Sequence, residues 1–454
     1  MPKIHITTLG CPKNVADSRH LEESFADEGL VRVADPRDAD VLLVNTCGFI
    51  KEAKEESVEE ILRLSQVKET PGNSARSTEE PGPRRLVVFG CLAQRYRDEL
   101  LREIPEIDGI WGVGQEREII DYCKAVDVPD HAVRSLRPQA AVSEFAAPDF
   151  RPPTTSFAYL KIAEGCDKKC TFCVIPSIRG PFRSLKPETI LLDAESLLSA
   201  GARELVLVAQ DITSYGRDLG DYRLTSLLRD LTSLSGEFWV RLMYLYPAAL
   251  DEPLIELIAS NNKIVKYLDI PLQHSEDRML RLMGRRGTRK EYTKLIRTAR
   301  RLIPGVALRT SLIAGFPTET EEEFNGLVDF MEEIRFDRLG VFRYSREEGT
   351  PAWSLKGQIP DKVKERRLHE IMTRQASISL EKNKDLIGRR LRALVDEADG
   401  DVLLARLETH APEIDGMVIV ERSGRDSEVR AGRFVTVEIM NAYDYDLKGV
   451  IVYD

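Results

Sequence analysis

The sequence predicts a multidomain α/β protein: an open parallel α/β sheet, then a partial (βα)6 barrel, then a small antiparallel β-barrel. Continuous apolar strands alternate with helical patterns in the first part, which is typical of a parallel sheet with helices on both faces. A second alternating series of strands and helices begins at Phe157 and is long enough to form most of a barrel. Short strands of alternating polarity occupy the carboxyl-terminal part.

Changes in pattern along the 454 residues predict the domain boundaries. We expect a sheet domain at 1–125, a linker at 126–156, the partial barrel at 157–360, a charged connecting helix at 361–384 and the final β-barrel at 385–454. A segment rich in Pro, Gly and Ser, 69–84, interrupts the first domain and is expected to be mobile.

Composition limits the class of protein. Apolar residues make up 42% and charged residues 31%, and no apolar run is long enough to cross a bilayer. The chain begins with a strand pattern instead of a signal peptide, so we expect a cytoplasmic protein with no membrane partner. Seven cysteines, an odd number, favour metal or redox chemistry over a disulfide framework. The net charge of −10 disfavours nonspecific binding to nucleic acid.

Three cysteines with C-x-x-x-C-x-x-C spacing, Cys166, Cys170 and Cys173, follow the first strand of the predicted barrel. Ligands bind at the carboxyl ends of barrel strands, so this is the expected position of a site. Three thiolates would hold a four-iron cluster and leave one iron without a protein ligand. A zinc site would need a further ligand pair, which does not follow nearby, and a redox pair made of the last two cysteines would leave the first unused.

A second set of cysteines, Cys11, Cys47 and Cys91, ends three apolar strands of the first domain. Because the carboxyl ends of parallel strands meet at one edge of a sheet, these three thiols are expected to lie together and to hold a second cluster. The alternative is that they are buried core cysteines. Cys123 lies within a helical pattern, and we interpret it as a packing residue.

Other strand ends of the predicted barrel carry polar residues that are candidates for cofactor or substrate binding. They are Gln210, Asp211, Tyr215, Tyr246, Pro247, Gln273, His274, Arg309 and the turn Gly315-Phe316-Pro317. For His274 we favour a buried hydrogen-bonded role over proton donation. Arg309 could either hold a carboxylate or pair within the barrel.

We also predict a capping box formed by Thr318 and Glu321, and a solvated basic face for the arginine-rich run between Arg278 and Lys290.

These motifs resemble those of the methylthiotransferase family of radical S-adenosylmethionine (SAM) enzymes over essentially the whole chain. The cysteine triplet with Phe172 before its last cysteine is similar to the radical SAM signature, and the final β-barrel resembles a TRAM domain. Thr8-Leu9-Gly10-Cys11-Pro12-Lys13-Asn14, Ile175-Pro176-Ser177-Ile178-Arg179-Gly180 and Asp269-Ile270-Pro271-Leu272-Gln273-His274 resemble the RimO branch.

The resemblance implies two 4Fe-4S clusters, held by the two sets of cysteines, and SAM as cofactor. Phe172, Gln210, Arg309 and Gly315 are the positions where we expect cofactor contacts. The implied reaction adds a methylthio group to the β-carbon of an aspartate in small-subunit ribosomal protein S-twelve, free or on the ribosome. A radical from SAM removes the hydrogen, the second cluster supplies sulfur, and a second SAM supplies the methyl group. An electron donor and a sulfur donor are implied partners, and we expect a monomer.

Three alternatives are also compatible with the sequence. A MiaB-like enzyme of the same family would modify transfer RNA, and Asn14-Val15-Ala16-Asp17-Ser18 is compatible with both branches. Fourteen acidic against nine basic residues between Leu386 and Asp454 fit a basic protein substrate better than RNA. A radical SAM enzyme of different chemistry, such as a methyltransferase, would not need the first three cysteines. A noncatalytic iron-sulfur adaptor would not cleave SAM.

Overall fold

The structure is a computed structural model that describes residues 1–69, 84–125, 156–426 and 428–453. Nearly all of the predicted insert and of the predicted linker lies outside the described residues. The described chain forms two units. Unit 1 contains the described residues up to 125 together with Glu164–Lys168 and Cys173–Arg183, and unit 2 contains 156–163, Lys169–Phe172 and the chain from Ser184 onward.

Unit 1 is built around a parallel sheet, as the apolar strands predict. Its strands are β1 (Lys3–Thr8), β2 (Val31–Arg32), β3 (Val41–Thr46), β4 (Arg85–Gly90) and β5 (Gly109–Trp111), paired in the order β2-β1-β3-β4-β5. The helices are α1 (Pro12–Asp27), α2 (Lys51–Glu69), α3 (Cys91–Glu103) and α4 (Glu116–Lys124), and the later segment of the unit carries α5 (Ile175–Arg179).

Every residue of β3 is buried, because helices cover both faces of the sheet. Val41 and Leu43 enter the core that contains α1 and α4, whereas Leu42 and Val44 enter the core that contains α2 and α3. This alternation follows from the two-residue period of a strand. Cys123 lies fully buried in the first of these cores, which confirms the packing role predicted for it.

Unit 2 begins with six parallel strands of a partial barrel. They are β6 (Phe157–Lys161), β9 (Glu204–Val208), β10 (Trp239–Leu242), β11 (Tyr267–Asp269), β12 (Ala307–Ala314) and β13 (Arg338–Arg343), and the two-residue strands β7 (Ala163–Glu164) and β8 (Arg183–Ser184) lie between the first two in sequence. Ladders join β6-β9-β10 and β11-β12-β13, and a bridge from Val240 to Ile264 connects the two sets. Within the described residues no ladder joins β13 to β6, so the barrel is partial.

The helices of unit 2 are α6 (Pro187–Ser199), α7 (Leu224–Ser233), α8 (Glu252–Ser260), α9 (Asp277–Leu282), α10 (Arg289–Leu302), α11 (Glu321–Ile334) and α12 (Asp361–Lys384). Short 3-10 helices occur at Pro36–Asp38 in unit 1 and at Ile212–Ser214, Pro247–Ala249, Pro351–Ser354 and Gly424–Asp426 in unit 2. Among the described helices, none combines the length and the apolar character needed to span a bilayer.

The capping box of α11 lies two residues later than predicted. Thr320 and Glu323 form it, with the Thr320 hydroxyl accepting from the Glu323 amide and the Glu323 carboxylate accepting from the Thr320 amide. Thr318 instead lies in the preceding turn with a φ of 68°, outside the conformation of an N-cap residue. Two overlapping Thr-x-x-Glu patterns made the sequence ambiguous here.

The final part of unit 2 is a closed five-stranded β-barrel, as predicted, with four antiparallel strand pairs and one parallel pair. Its strands are β14 (Arg390–Asp399), β15 (Val402–Leu407), β16 (Val418–Glu421), β17 (Phe434–Ala442) and β18 (Leu447–Ile451), closed in the order β14-β15-β16-β18-β17. The loop between β15 and β16 contacts the partial barrel. Glu413 accepts a hydrogen bond from the Tyr159 hydroxyl at 2.6 Å, and Asp415 accepts one from the Tyr267 hydroxyl at 2.7 Å.

Candidate metal centres

The three cysteines of the sheet domain lie at the carboxyl ends of three neighbouring strands. Cys11 is the N-cap residue of α1 after β1, Cys47 directly follows β3, and Cys91 begins α3 after β4. Because β1, β3 and β4 are adjacent in the sheet, the fold brings the three chain segments to one edge. The strand order therefore agrees with the predicted grouping of these residues.

Close approaches between the segments indicate how near the thiols are. A Cβ atom on Gly10 would lie 2.6 Å from the Cys47 Cβ and 3.0 Å from its Sγ, and Gly10 has a φ of +98°. A Cβ on Gly48 would lie 2.9 Å from the backbone carbonyl of Cys91. Burial raises the pKa of Cys47 to about 12, and the charges of the Cys91 and Cys11 thiolates contribute to that rise.

A buried arginine accompanies this cysteine set. The Arg179 side chain is 1% exposed, and its Nε donates to the Cys91 Sγ at 3.3 Å. Burial raises the pKa of Cys91, whereas the charge of Arg179 lowers it. Arg179 is thus a fixed positive charge that offsets part of the effect of burial on this thiol, whose pKa stays above its ordinary value.

The donor set of this site fits an iron-sulfur cluster. Thiolates are the usual ligands of such clusters, and a buried thiol ionises only where a cation compensates its charge. Gly10 and Gly48 let the three cysteine-bearing segments approach one another, and a metal would supply the charge that compensates the thiolates. Among the described residues, which include all seven cysteines, no disulfide bond uses these thiols.

The second cysteine set lies within eight consecutive residues, so chain connectivity alone confines it. In unit 1, the Cys166 amide donates to the Gly180 carbonyl at 3.0 Å, and Asp167 accepts from the Phe182 amide at 2.9 Å. A Cβ on Gly165 would lie 2.1 Å from the Pro181 carbonyl oxygen, so only glycine fits there. These contacts fix the backbone around Cys166.

In unit 2, the middle of this segment is held against the turn after α9. Thr171 donates from its amide to the Met283 carbonyl at 2.9 Å and from its hydroxyl to the Leu282 carbonyl at 2.7 Å. A Cβ on Gly284 would meet the Lys169 carbonyl at 2.2 Å, so the two backbones touch at a glycine. Arg285 then places Nη1 at 3.8 Å from the Cys170 Sγ.

The four residues predicted to contact the cofactor occupy different surroundings in unit 2. Phe172 packs against a core that contains Met279, Met283 and Phe316. Gln210 is half-buried and lies two residues beyond the end of β9. Their contacts with SAM stay a prediction.

Arg309 and Gly315 have structural partners of their own. Arg309 is the third residue of the eight-residue strand β12, so its predicted position at a strand end is wrong. It donates to Asp269 at 2.7 Å and thus pairs within the barrel, one of the two roles predicted for it. A Cβ on Gly315 would lie 2.4 Å from the Lys364 side chain, which explains the glycine by the packing of α12. Contacts of these two residues with SAM likewise stay a prediction.

His274 is buried and hydrogen-bonded, which confirms the favoured role. Its Nδ1 accepts from the Glu276 amide at 3.0 Å, so Nε2 carries the hydrogen directed to Glu319, also at 3.0 Å. Tyr215 donates its hydroxyl to the Leu185 carbonyl at 3.0 Å, and Tyr246 accepts from the Arg286 amide at 3.2 Å.

The remaining polar candidates are placed by backbone geometry. Asp211 accepts from the Thr213 amide at 3.0 Å, at the start of the 3-10 helix that follows β9. Gln273 has a φ of 73°, and its backbone amide donates to the Ser311 carbonyl. Pro247 begins a 3-10 helix.

Among the described residues, Arg179 and Arg285 contact cysteine sulfurs, and neither role was predicted from the sequence. Arg179 lies in a motif that resembles the family, and Arg285 lies in the run predicted to be a solvated basic face. The latter prediction is right for Arg278 and Arg281, which are exposed, but wrong for Arg285, whose guanidinium also stacks on the Tyr246 ring at 4.4 Å. Both arginines lie far in sequence from the cysteines that they contact, and Arg285 also lies in a run of polar residues. The periodicity of the sequence therefore does not predict either contact.

Three family models match the chain in the order of its parts. The model described as Uncharacterized protein family UPF0004 matches residues 3–112, the Radical SAM superfamily matches 160–331, and the TRAM domain matches 387–452. A radical SAM methyltransferase from Kitasatospora setae, TsrM, solved with cobalamin and a [4Fe-4S] cluster, has a similar fold. Its TM-score is 0.53 at 14% identity, with 89% of this chain and 77% of that chain covered.

Fold, cysteine signature and matched domains define the class of protein: it is a radical SAM methylthiotransferase. A relative from Thermodesulfovibrio yellowstonii named "Ribosomal protein uS12 methylthiotransferase RimO" is 54% identical, with 100% of both chains covered. A relative of the same name from Desulfitobacterium hafniense is 43% identical over 99% of this chain and 98% of its own. The chain belongs to the RimO family of methylthiotransferases, which confirms the branch predicted from the motifs.

Proposed function

We propose that this enzyme replaces a hydrogen on the β-carbon of an aspartate in ribosomal protein uS12 with a methylthio group. The observation that carries the proposal is the 54% identity, over the whole chain, to a relative named for that substrate. The charge of the carboxyl-terminal β-barrel supports it independently. Its excess of acidic over basic residues attracts a basic ribosomal protein and repels RNA phosphate.

Two sets of three thiolates would hold two four-iron clusters, one on Cys166, Cys170 and Cys173 and one on Cys11, Cys47 and Cys91. When bound, the first supplies an open iron for SAM and the electron that cleaves it, and the second supplies an open iron for sulfur. The second cluster is supported here by adjacent strand ends and by glycines that let the three segments approach. An external electron donor and a sulfur donor complete the proposal.

The chain's own residues would bind, orient and shield these groups. Cys47 and Cys91 are 8% and 4% exposed, so water is largely excluded from their side of the sheet edge. The Ser57 hydroxyl donates to the Cys47 carbonyl at 3.1 Å and accepts from the Cys47 amide at 3.0 Å, which fixes this ligand from behind. Thr171 performs the equivalent task for the backbone beside Cys170.

Phe172, Gln210, Arg309 and Gly315 remain our proposed SAM contacts. Gln210 and Gly315 follow barrel strands, the position where barrels bind ligands, and Phe172 lies within the cysteine segment itself. Arg309 pairs with Asp269 at 2.7 Å and with Asp415 at 4.0 Å, and its side chain is 14% exposed. A cofactor carboxylate would therefore share this guanidinium with Asp269.

The domain boundaries 1–125, 126–156, 157–360, 361–384 and 385–454 belong to the same proposal, and the three matched family segments support them. We propose a monomer that acts in the cytoplasm, where a ribosomal protein substrate is available.

The direct test is incubation of the anaerobically reconstituted full chain with SAM, a reductant and a sulfur source. Purified uS12 serves as one substrate and a precursor transfer RNA as the other. We expect mass spectrometry to find a methylthio group on one aspartate of uS12 and none on the RNA.

Modification of the RNA instead would favour the MiaB-like reaction. Transfer of a methyl group without sulfur would favour different radical SAM chemistry. An absence of 5′-deoxyadenosine under reducing conditions would favour the noncatalytic adaptor. For any variant of a ligand cysteine, Cys123→Ser is the matched control, because it changes a buried cysteine outside both ligand sets. This control should still modify uS12.

A further inference from the structure

Arg179 contacts more than the thiol of Cys91. Its Nη2 donates to the Asn14 Oδ1 at 2.7 Å, and its Nη1 donates to Glu164 at 3.0 Å and to Asp17 at 3.2 Å. All of these residues belong to unit 1. The side chains of Asp17 and Glu164 are each 9% exposed, so the guanidinium is the centre of a buried polar network.

The local sequence explains why the guanidinium is held in place. Arg179 ends the short helix α5, and Gly180 follows with a φ of 73°, which stops the helix. Val174 and Ile178 pack with Cys91, Phe49 and Val113, so an apolar contact fixes the helix beside the thiol. The hydrogen bond from Nε to sulfur is therefore made by a preorganised donor.

A fixed cation that donates to a cluster ligand favours the reduced state of that cluster. Reduction adds negative charge, and hydrogen bonds to the ligand sulfurs together with local net charge are the protein's means of setting the potential. We infer that Arg179 is a positioning residue that raises the reduction potential of the cluster held by Cys11, Cys47 and Cys91. This inference rests on the proposed function, because it requires that cluster.

The carboxylate of Glu164 allows the direction of the change in reduction potential to be tested. Glu164 accepts from Nη1 through both of its oxygens at 3.0 Å and so draws on the same guanidinium that donates to sulfur. Removing the Glu164 charge should leave Arg179 more available to Cys91 and remove a nearby negative charge. Loss of Arg179 and loss of the Glu164 charge therefore shift the potential in opposite directions.

The experiment uses a full-length chain in which Cys166, Cys170 and Cys173 are changed to Ala, so that only the proposed second cluster can form. After anaerobic reconstitution, iron per chain is measured, and the midpoint potential is determined by a redox titration followed by electron paramagnetic resonance. Arg179→Met, Arg179→Lys and Glu164→Gln are compared in this background.

Arg85→Met is the matched control in the same unit. The Arg85 guanidinium donates to the carbonyls of Tyr122 and Ala125, and Arg85 begins β4, the end of the strand opposite to Cys91. The Arg85→Met variant therefore removes one positive charge from unit 1, as Arg179→Met does, but it removes no hydrogen-bond donor to a cysteine sulfur.

We expect Arg179→Met to lower the reduction equilibrium constant about tenfold, as loss of a charge-assisted hydrogen bond implies. For one electron this is about 59 mV toward more negative potential. Arg179→Lys keeps the charge and should shift less, Glu164→Gln should shift the potential upward, and Arg85→Met should leave it unchanged.

The outcomes separate the inference from the proposed function. A background protein that takes up no iron would contradict the second cluster and hence the proposed function. A background with about four irons per chain, whose potential is the same with Arg179 and with Met, would overturn the inference alone. Should Arg179→Met fail to take up iron, Glu164→Gln decides, because it retains the guanidinium. An unchanged or lower potential in that variant would also overturn the inference.

Discussion

Glu204 is the buried carboxylate that joins the partial barrel to the carboxyl-terminal β-barrel, and its loss should destabilise unit 2. It is fully buried and accepts from Arg241 at 2.5 Å and from Arg406 at 2.6 Å. The first partner lies in β10 and the second in β15. Glu204→Gln removes the charge while keeping the shape, and it leaves two buried guanidinium groups with less compensation.

The expected cost is about 3 kcal/mol in the free energy of unfolding, the lower end for removing one partner of a buried ion pair. We take the lower end because Arg406 keeps Asp396, at 2.5 Å, as a second partner. The control is Glu421→Gln. Glu421 pairs with Lys448 at the same 2.6 Å, but on the surface, where such a pair contributes little.

The assay is urea unfolding followed by tryptophan fluorescence. Trp239 is buried in β10 and contacts Phe434 of β17 with ring centres 4.9 Å apart, so it reports on both barrels. Replacing Trp111 and Trp353 by Phe leaves Trp239 as the single tryptophan. Equal destabilisation by Glu204→Gln and Glu421→Gln would refute the role assigned to the buried pair.

The same pair gives a pH dependence. Burial alone would raise the pKa of Glu204, but the charges of Arg241 and Arg406 hold it below its ordinary value of 4.5. A carboxyl whose pKa is lowered by folding contributes stability that is complete above its unfolded pKa and is lost as the pH falls toward the folded pKa. The difference in stability between the unaltered chain and Glu204→Gln should therefore shrink below about pH 4.5.

Three further predictions concern single side chains. Gly10→Ala should lose about half of the reconstituted iron, because the new Cβ would lie 2.6 Å from the Cβ of Cys47. The control Gly29→Ala should lose none, because Gly29 has a similar positive φ of +74° but no atom within 4 Å of the new Cβ. Retention of all iron by Gly10→Ala would contradict the close approach. Cys123→Ser should leave the iron content unchanged. It should lower the free energy of unfolding by about 1–3 kcal/mol, because it places a hydroxyl group in an apolar core. Thr320→Ala should destabilise α11 by about 1 kcal/mol in urea unfolding, and Thr318→Ala by less; the reverse order would return the cap to its predicted position.

The parts of the fold that depend on local pattern could be predicted from the sequence. The continuous apolar runs of β3 and β4 predict a parallel sheet, and the sheet order then places Cys11, Cys47 and Cys91 at one edge. Strand β1 alternates buried and partly exposed residues and carries less of this signal. The alternating strands after α12 predict the closed five-stranded barrel. Strand periodicity is a local property, so these predictions needed no knowledge of distant contacts.

The contacts that join distant segments could not be predicted in this way. Arg179 meets Asn14 across 165 positions of sequence, and Tyr159 meets Glu413 across 254. No periodicity relates the members of such pairs, because each is set by the packing of whole elements. The misplaced capping box has a local cause instead, since Thr318 and Thr320 offer the same pattern and only the backbone conformation distinguishes them.

The most direct test of the two-centre account is a Cys11/Cys47/Cys91→Ala variant incubated with SAM, reductant, sulfur source and uS12. Methylthiolated aspartate, 5′-deoxyadenosine and bound iron are quantified in one sample. We expect this variant to hold about half the iron of the unaltered chain, to continue to form 5′-deoxyadenosine and to give no methylthiolated product. Methylthiolation at the rate of the unaltered chain would contradict it.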